Sequence, residues 1–127
     1  MSKLFLLFSH NLTEAQESDA KDSLGVTSFV TLPAELQKLW SNVPSSLESL
    51  EAYLEDLKLY LEKELKQGDV VLVQGDFGAT CSMVRFVKGL GAKAVYATTT
   101  RDVVEKVVDD KIVKTSVFKH VRFRVYA

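Results

Sequence analysis

The feature that most constrains the fold is a set of short, unbroken apolar runs that end in small polar residues. The first run is Leu4 to Phe8, in a strand predicted to begin at Lys3, the second covers 70–73 and a third covers 94–97. A strand of a parallel sheet forms a continuous apolar run, because helices cover both faces of such a sheet. The chain is therefore predicted to build a buried, mainly parallel sheet whose strands lead into polar loops.

Segments with helical spacing and helix end signals lie between these runs. Thr13 and Gln16 have the spacing of a capping box, which predicts a helix over 13–24 that stops at Gly25. The other predicted helices are 34–40, the leucine-rich segment 47–65, and a mostly apolar helix that follows residue 80 and ends at Gly89 or Gly91.

The remaining segments are predicted to be strands. A second strand is expected at 26–32, and the C-terminal strands are predicted at 103–108, 112–118 and 121–126, with a turn at 109–111. Strands that alternate with helices predict an α/β fold. We expect a Rossmann-like, mainly parallel sheet flanked by helices, with an antiparallel C-terminal β addition.

Composition excludes several other classes of protein. With 127 residues, of which 46% are hydrophobic, the chain is predicted to be one globular domain, residues 1–127. No apolar run approaches the roughly 20 residues that cross a bilayer, and no signal peptide is recognised, so we expect a cytoplasmic protein with no membrane partner. One cysteine, Cys81, and two histidines predict neither a disulfide framework nor a metal or cofactor site.

The near-zero net charge of −1 hides a strong asymmetry. Residues 1–110 contain 11 Lys and Arg and all 17 Asp and Glu, whereas residues 111–127 contain five Lys and Arg and no acid. A basic end on an acidic body favours a local anion site and argues against binding of long duplex nucleic acid. The alternative is that the cations protect edge strands from aggregation.

Three polar groups follow the apolar runs, and ligands of open α/β sheets bind outside the carboxyl ends of the parallel strands. The groups are Ser9-His10-Asn11, the glycine-containing loop 74–80, and Thr98-Thr99-Thr100-Arg101. Backbone N–H groups of such a loop, hydroxyls and a guanidinium all suit phosphate and ribose. The candidate ligand-binding residues in these groups are Asn11, Gln74, Gly75, Asp76, Phe77, Gly78, Thr80, Thr98, Thr99 and Thr100.

Each group also has a purely structural explanation. The 74–80 loop is compatible with a tight turn at a helix start, and Arg101 with an ion pair to Asp102 or Glu105. Ser9 is compatible with a helix cap, and His10 with a hydrogen bond to a carbonyl group.

The last strand is predicted to place three cationic or titratable side chains on one face. His120, Arg122 and Arg124 alternate there with apolar residues, which suits a polyanion that passes along the strand. An ordinary solvent-exposed sheet face is the alternative explanation.

Taken together, five fragments resemble a family of small type III CRISPR accessory proteins that act as ring nucleases on cyclic oligoadenylate. The fragments are LFLLFSHNLTEAQ, LPAELQKLWSNVP, GDVVLVQGDFGAT, AVYATTTR and VFKHVRFRVY. The resemblance implies a minimal relative of the CRISPR-associated Rossmann-fold domain. It also implies a homodimer that binds the ring across its two-fold axis and degrades cyclic tetra-adenylate, which switches off type III CRISPR signalling.

Such a reaction needs no metal ion, because the 2′-hydroxyl of the substrate can attack the adjacent phosphodiester and leave a 2′,3′-cyclic phosphate. The resemblance implies a catalytic position for Ser9, and Arg101 is the first candidate to stabilise transition-state charge. His10 and His120 are candidates for a general acid or base, with His120 favoured because Arg122 is expected on the same strand face. The alternatives are a non-catalytic sensor or sponge for the same ligand, and an interaction protein.

Overall fold

Five strands form a single sheet in the order β2-β1-β3-β4-β5 in the computed structural model, which describes residues 2–127. The strands are β1 (Ser2–Leu7), β2 (Val26–Thr31), β3 (Val70–Val73), β4 (Lys93–Val108) and β5 (Lys111–Val125). The first four are parallel, and β5 pairs with β4 in the antiparallel direction. The prediction of an α/β fold with a mainly parallel sheet and an antiparallel C-terminal addition is confirmed.

Four helices connect these strands. They are α1 (Glu14–Leu24), α2 (Ala34–Ser41), α3 (Glu55–Glu64) and α4 (Phe77–Gly89). The capping box of α1 is confirmed, because the Thr13 hydroxyl accepts from the Gln16 N–H and the Gln16 side chain accepts from the Thr13 N–H. Gly25 ends this helix with φ 69°, a left-handed conformation that favours glycine. Within residues 2–127, no helix is long and apolar enough to cross a membrane.

The helices cover the two faces of the sheet and bury a separate core on each. Helix α1 packs on one face through Ala20, and we call this the α1 face. Helices α2, α3 and α4 pack on the other, which we call the α4 face. The alternate residues of β1 and β3 divide between the two cores, as the period of two in a strand requires. Both strands are therefore buried on both sides, which explains their unbroken apolar sequences.

The leucine-rich segment forms a shorter helix than predicted. Residues 47–54 form bends and turns, and α3 begins at Glu55. The Glu51 N–H lies 3.4 Å from the Ser49 hydroxyl, a local bond that competes with helical hydrogen bonding. Leu54, Leu57 and Leu61 are fully buried, whereas Leu47 is 43% exposed. Leucine spacing therefore predicted the buried side correctly from Leu54 onward, and it predicted the helix start incorrectly.

The C-terminal part is one long hairpin, whereas the sequence predicted four shorter strands. Strand β4 pairs with β3 only as far as Val95 and then continues to Val108, paired with β5. Asp109 and Asp110 form the predicted turn with φ of 50° and 62°. Because β3 ends at Val73, the part of the hairpin over residues 99–119, here called the ribbon, projects beyond the carboxyl edge of the sheet.

A β-bulge lies at the base of the ribbon. Thr98 pairs with Arg122, but Thr99 pairs with His120, so Val121 is an extra residue on β5. The alternation of side chains along β5 therefore shifts by one residue at this point. Because of this shift, His120 and Arg122 lie on opposite faces of β5, whereas the sequence predicted them on one face.

Candidate functional site

The carboxyl ends of β1 and β3 lie side by side and open into two cavities. Leu7 is in register with Val73, and the Gln74 N–H donates to the Leu7 carbonyl at 3.0 Å. The cavity beyond β3, here called the β3 cavity, has a volume of about 540 Å³. The cavity beyond β1 and β2, here called the β1 cavity, has a volume of about 630 Å³. Each is large enough for a mononucleotide-sized ligand.

Three aromatic side chains line the β3 cavity. Phe77, at the start of α4, is 96% exposed, which is unusual for a phenylalanine. The rings of Tyr96 and Tyr126 lie 4.7 Å apart, and the Tyr126 hydroxyl donates to the Val73 carbonyl at 2.6 Å. Burial raises the pKa of Tyr126, with a smaller contribution from Tyr96. The cavity therefore presents flat apolar surfaces to a ligand.

Cations complete this cavity. Arg85 and Lys88 lie on α4, and each is three or four positions from another residue that lines the cavity. Residues at this spacing share one side of a helix, so both face the same side as Phe77. Arg124 Nη1 donates to the Tyr96 hydroxyl at 2.9 Å, with its guanidinium 5.5 Å from the Tyr96 ring centre. Aromatic faces beside guanidinium and ammonium groups are the combination that binds a base and its phosphate.

The loop between β3 and α4 is held by structural contacts. The Gln74 side-chain carbonyl accepts from the Ala97 N–H at 2.8 Å. The Gln74 backbone carbonyl accepts from the indole N–H of Trp40 at 3.0 Å. A Cβ at Gly75 would lie 3.0 Å from the Trp40 ring. These two predicted binding residues thus build the loop, and both also line the β3 cavity.

The start of α4 supports the structural explanation for Asp76. Its carboxylate accepts from the Ala79 N–H at 3.0 Å and caps the helix. Gly78 and Asp76 line a neighbouring surface cavity of about 640 Å³ with residues of the 43–51 loop. Thr80 lines the β3 cavity, and its buried hydroxyl has no hydrogen-bond partner within residues 2–127.

The predicted Ser9-His10-Asn11 group lies in the β1 cavity. The Ser9 hydroxyl lies 2.9 Å from the Ser41 hydroxyl, which also accepts from the Gln37 amide at 3.0 Å. The His10 ring contacts the Phe8 ring edge-on, with centroids 5.4 Å apart, and is exposed. Thr13, and not Ser9, caps α1, so the capping explanation for Ser9 is wrong.

The Thr98–Arg101 group does not lie at a strand end, because β4 continues through it. The Thr98 hydroxyl donates to the Arg122 carbonyl at 2.8 Å, at the bulge. Thr99, Thr100 and Arg101 are exposed on the ribbon. Arg101 Nε donates to the Ser116 hydroxyl at 3.1 Å across the ribbon, which differs from the predicted ion pair with Asp102 or Glu105.

His120 does not share a face with Arg122 and Arg124, and this correction follows from the bulge. The His120 side chain is 5% exposed on the α1 face, where it lies 2.8 Å from the Asp19 carboxylate and packs on Phe123. Arg122 and Arg124 lie on the α4 face. The reason for favouring His120 over His10 is therefore wrong, and a catalytic role for either histidine stays a prediction.

The structure brings together some predicted residues and adds others. Gln74, Gly75, Phe77 and Thr80 meet around the β3 cavity, whereas Ser9, His10 and Asn11 meet around the β1 cavity. Four side chains that complete the β3 cavity were not predicted from the sequence, namely Tyr96, Tyr126, Arg85 and Lys88. The four-residue spacing of Phe77, Cys81 and Arg85 is the signal that could have identified the α4 wall.

Comparison with known proteins identifies relatives of the whole chain. A family model described as "Uncharacterized protein MJ1673 family" matches residues 2–124. The chain is 48% identical over 126 residues to "Uncharacterized protein MJ1673" of Methanocaldococcus jannaschii. The aligned region covers 99% of this chain and 98% of that protein. No solved structure matches the chain significantly.

Proposed function

The chain belongs to the uncharacterized protein MJ1673 family, and we propose that it is a cytoplasmic ring nuclease that binds and cleaves cyclic oligoadenylate. Its substrate is cyclic tetra-adenylate, and its action switches off type III CRISPR signalling. The proposal rests on the family resemblance of the five sequence fragments and on the geometry of the carboxyl edge.

The observation that best supports adenylate binding is the β3 cavity. Its exposed Phe77 ring and the Tyr96–Tyr126 pair offer stacking surfaces, with Arg85 and Lys88 beside them for phosphate. Stacking on aromatic rings contributes about 1–3 kcal/mol per base, and it needs no hydrogen bonds to base edges. A second copy of the chain would supply a second cavity, which suits a ring of repeating nucleotides.

We also infer a Rossmann-like arrangement of the sheet. The parallel strands follow the order β2-β1-β3-β4, with helices on both faces. In doubly wound sheets with this order, the topological switch point lies between the first and third strands, and ligands bind outside their carboxyl ends. Here Leu7 and Val73 are paired at that position, and the loops that follow them line the two cavities.

The proposed reaction is an internal transfer at phosphorus. The ribose 2′-oxygen attacks the adjacent phosphorus, a P–O2′ bond forms and the bond to the 5′-oxygen breaks. The 2′-hydroxyl loses one proton and the 5′-oxygen gains one, so no water is consumed. The products are linear oligoadenylates with a 2′,3′-cyclic phosphate and a 5′-hydroxyl. The protein has to hold the ribose in line and stabilise charge on the phosphate.

Three side chains are assigned to these tasks. Ser9, at the end of β1, contacts the scissile ribose or phosphate from the β1 cavity. Arg101 stabilises the transition-state charge through its guanidinium. His10 is now the preferred general acid, because it is exposed in the β1 cavity whereas His120 is buried beside Asp19.

The test of this function is incubation of the pure protein with labelled cyclic tetra-adenylate in EDTA. We expect linear products that end in a 2′,3′-cyclic phosphate. A ring that persists unchanged through long incubation would contradict cleavage.

Replacement of Arg101 by Ala tests the charge-stabilising role. We expect kcat to fall by about 100-fold or more, with a smaller change in ligand affinity, because the interaction strengthens as charge develops. Lys106→Ala is the matched control, since Lys106 is also an exposed ribbon cation. An Arg101→Ala variant that is as active as Lys106→Ala would move the role to another residue.

A second candidate function is a non-catalytic sensor or sponge for the same ligand. One observation favours it: the candidate catalytic side chains do not all converge, since Ser9 and His10 line the β1 cavity whereas Arg101 lies on the ribbon, bonded to Ser116. Tight binding of cyclic tetra-adenylate without any product would select this function.

A further inference from the structure

A chain of hydrogen bonds in the β1 cavity connects helix α2 to the candidate catalytic serine. Gln37 Nε2 donates to the Phe8 carbonyl at 3.0 Å and to the Ser41 hydroxyl at 3.0 Å. The Ser41 hydroxyl in turn lies 2.9 Å from the Ser9 hydroxyl. Gln37, Ser41 and Ser9 all line the cavity, so the whole chain borders the space that a ligand would occupy.

The fold sets the positions of both α2 residues in this chain. Gln37 and Ser41 are four residues apart, so they lie on the same side of the helix. The helix is fixed to the rest of the protein by the buried Trp40 and by the Tyr53 hydroxyl, which donates to the Leu39 carbonyl. The two side chains are therefore in place before any ligand binds.

The Phe8 carbonyl determines the direction of the chain. A carbonyl oxygen can only accept, so the Gln37 atom that faces it must be the amide nitrogen, and this nitrogen also donates to Ser41. The Ser41 oxygen is thus an acceptor and keeps its own proton for another partner. Within residues 2–127, the Ser9 hydroxyl is the only other hydrogen-bond partner of the Ser41 hydroxyl. When Ser41 donates to it, the Ser9 proton is left for a ligand.

We infer that Gln37 and Ser41 are positioning residues, which act through Ser9 and make its hydroxyl a donor to a non-bridging oxygen of the scissile phosphate. The amide N–H at one end of the chain can only donate, and a phosphate oxygen at the other end can only accept. One arrangement of the two hydroxyl protons then satisfies every bond: Ser41 donates to Ser9, and Ser9 donates to the phosphate. The bond to the phosphate strengthens as negative charge develops in the transition state.

This inference rests on the proposed function and deepens it, because it names the group of the ring that Ser9 contacts. Ser9 stabilises charge and keeps its proton throughout the reaction, so the proton of the 2′-hydroxyl leaves to another group. If the chain of bonds only held α2 against β1, its loss would reduce the stability of the fold and not the rate of the chemical step.

Steady-state cleavage of cyclic tetra-adenylate by the full chain provides the test. We expect Ser9→Ala to lower kcat by about 100-fold and Ser41→Ala by about tenfold, each with KM changed by less than about threefold. Ser41→Thr keeps the hydroxyl and should restore most of the rate. The double variant Ser9→Ala and Ser41→Ala should be no slower than Ser9→Ala alone, because Ser41 acts through Ser9. Ser18→Ala, at an exposed helical serine outside the cavity, is the control and should leave kcat unchanged.

Replacement of Gln37 by Glu tests the direction of the chain. A carboxylate can only accept, so Ser41 would donate to it, Ser9 would donate to Ser41, and no proton would remain for the phosphate. We expect kcat to fall by about 100-fold, as in Ser9→Ala. Ala34→Glu is the matched control, because Ala34 lines the same cavity from the same helix. It adds the same charge, so it should raise KM and leave kcat nearly unchanged.

The outcomes separate this inference from the proposed function. A wild type that cleaves the ring, together with a Ser41→Ala variant as active as Ser18→Ala, would overturn the positioning role alone. Full additivity of the Ser9 and Ser41 substitutions would do the same. A wild type that leaves the ring intact would overturn the proposed function and the positioning role with it. If Gln37→Glu lost the wild-type circular dichroism spectrum, the Ser41 variants would decide.

Discussion

At the residue scale, Gly75 links the fold to the site, because its lack of a side chain allows the Trp40 indole to pack against the strand-end loop. Trp40 is buried and donates to the Gln74 carbonyl, so it cannot easily move away from a new methyl group. We expect Gly75→Ala to reduce the free energy of unfolding by about 1–3 kcal/mol, the usual cost of overpacking. Urea unfolding at neutral pH measures this change.

Gly89 gives a matched control for that substitution. It lies at the end of α4, where an added Cβ meets nothing within 4 Å. Alanine should therefore stabilise the helix by about 0.5–1 kcal/mol. If Gly75→Ala were as stable as Gly89→Ala, close packing of Trp40 on the loop would be disproved.

Thr80 is a second residue that gives a test at this scale, because the fold does not require its hydroxyl group. It is buried without a partner in the described part of the chain, and desolvation of an unpaired hydroxyl costs free energy. Thr80→Val keeps the shape, so we expect the free energy of unfolding to stay unchanged or to rise by up to about 1 kcal/mol. Thr80→Ser, which keeps the hydroxyl and loses the methyl group, should be less stable than the wild type. A valine variant clearly less stable than the wild type would show that the hydroxyl is hydrogen-bonded in solution.

At the element scale, Asp19 joins α1 to β5 through its bond to His120. Hydrogen bonds from Ser23, and then from His120, lower the pKa of the Asp19 carboxyl group. A lowered folded-state pKa means that the carboxylate stabilises the fold above the ordinary value of 3.8, and that this contribution is lost as pH falls through the folded-state pKa. Asp19→Asn should thus destabilise the protein at pH 7, and its difference from the wild type should shrink below about pH 4.

Urea unfolding at several pH values measures this dependence. Asp22→Asn, an exposed position on the same helix, is the control and should change the stability little at any pH. A difference between Asp19→Asn and the wild type that stays constant down to pH 3 would contradict the assigned role of the carboxylate.

The elements that the sequence predicted well are those in which local pattern and burial agree. Strands β1 and β3 are buried on both faces, so their apolar runs identified them, and the capping box located the start of α1. The ribbon was misjudged because Thr98–Arg101 is polar, as loops are. Polar residues are nevertheless compatible with an exposed strand that a neighbouring strand pairs along its length.

Long-range pairing also explains what was missed in the site. The bulge at Val121 depends on the register between β4 and β5, which no local pattern specifies. It moves His120 to the α1 face, away from Arg122. Tyr96 and Tyr126 meet because their strands pair, although 30 positions separate them in sequence. The strand-end rule located the loops after β1 and β3 correctly, but it misplaced Thr98–Arg101, through which β4 continues. It also did not identify the side chains that strand pairing brings to these loops.

At the scale of the whole molecule, the features of functional interest lie at one edge. The loops that follow β1 and β3 line the two cavities, and the ribbon projects beyond the same edge. Residues 99–119 contain five Lys and Arg and four Asp and Glu, so the ribbon is almost neutral, and the cations that line the β3 cavity are Arg85 and Lys88.

The most direct test of the account is a calorimetric titration of cyclic tetra-adenylate into the wild type and into Phe77→Ala. Phe77 is 96% exposed, so its removal should leave the stability of the fold unchanged while it removes a stacking surface. We predict that the wild type binds the ring and that Phe77→Ala binds at least about fivefold more weakly. A wild type that does not bind, or a variant with wild-type affinity, would contradict the claim that the β3 cavity holds an adenylate.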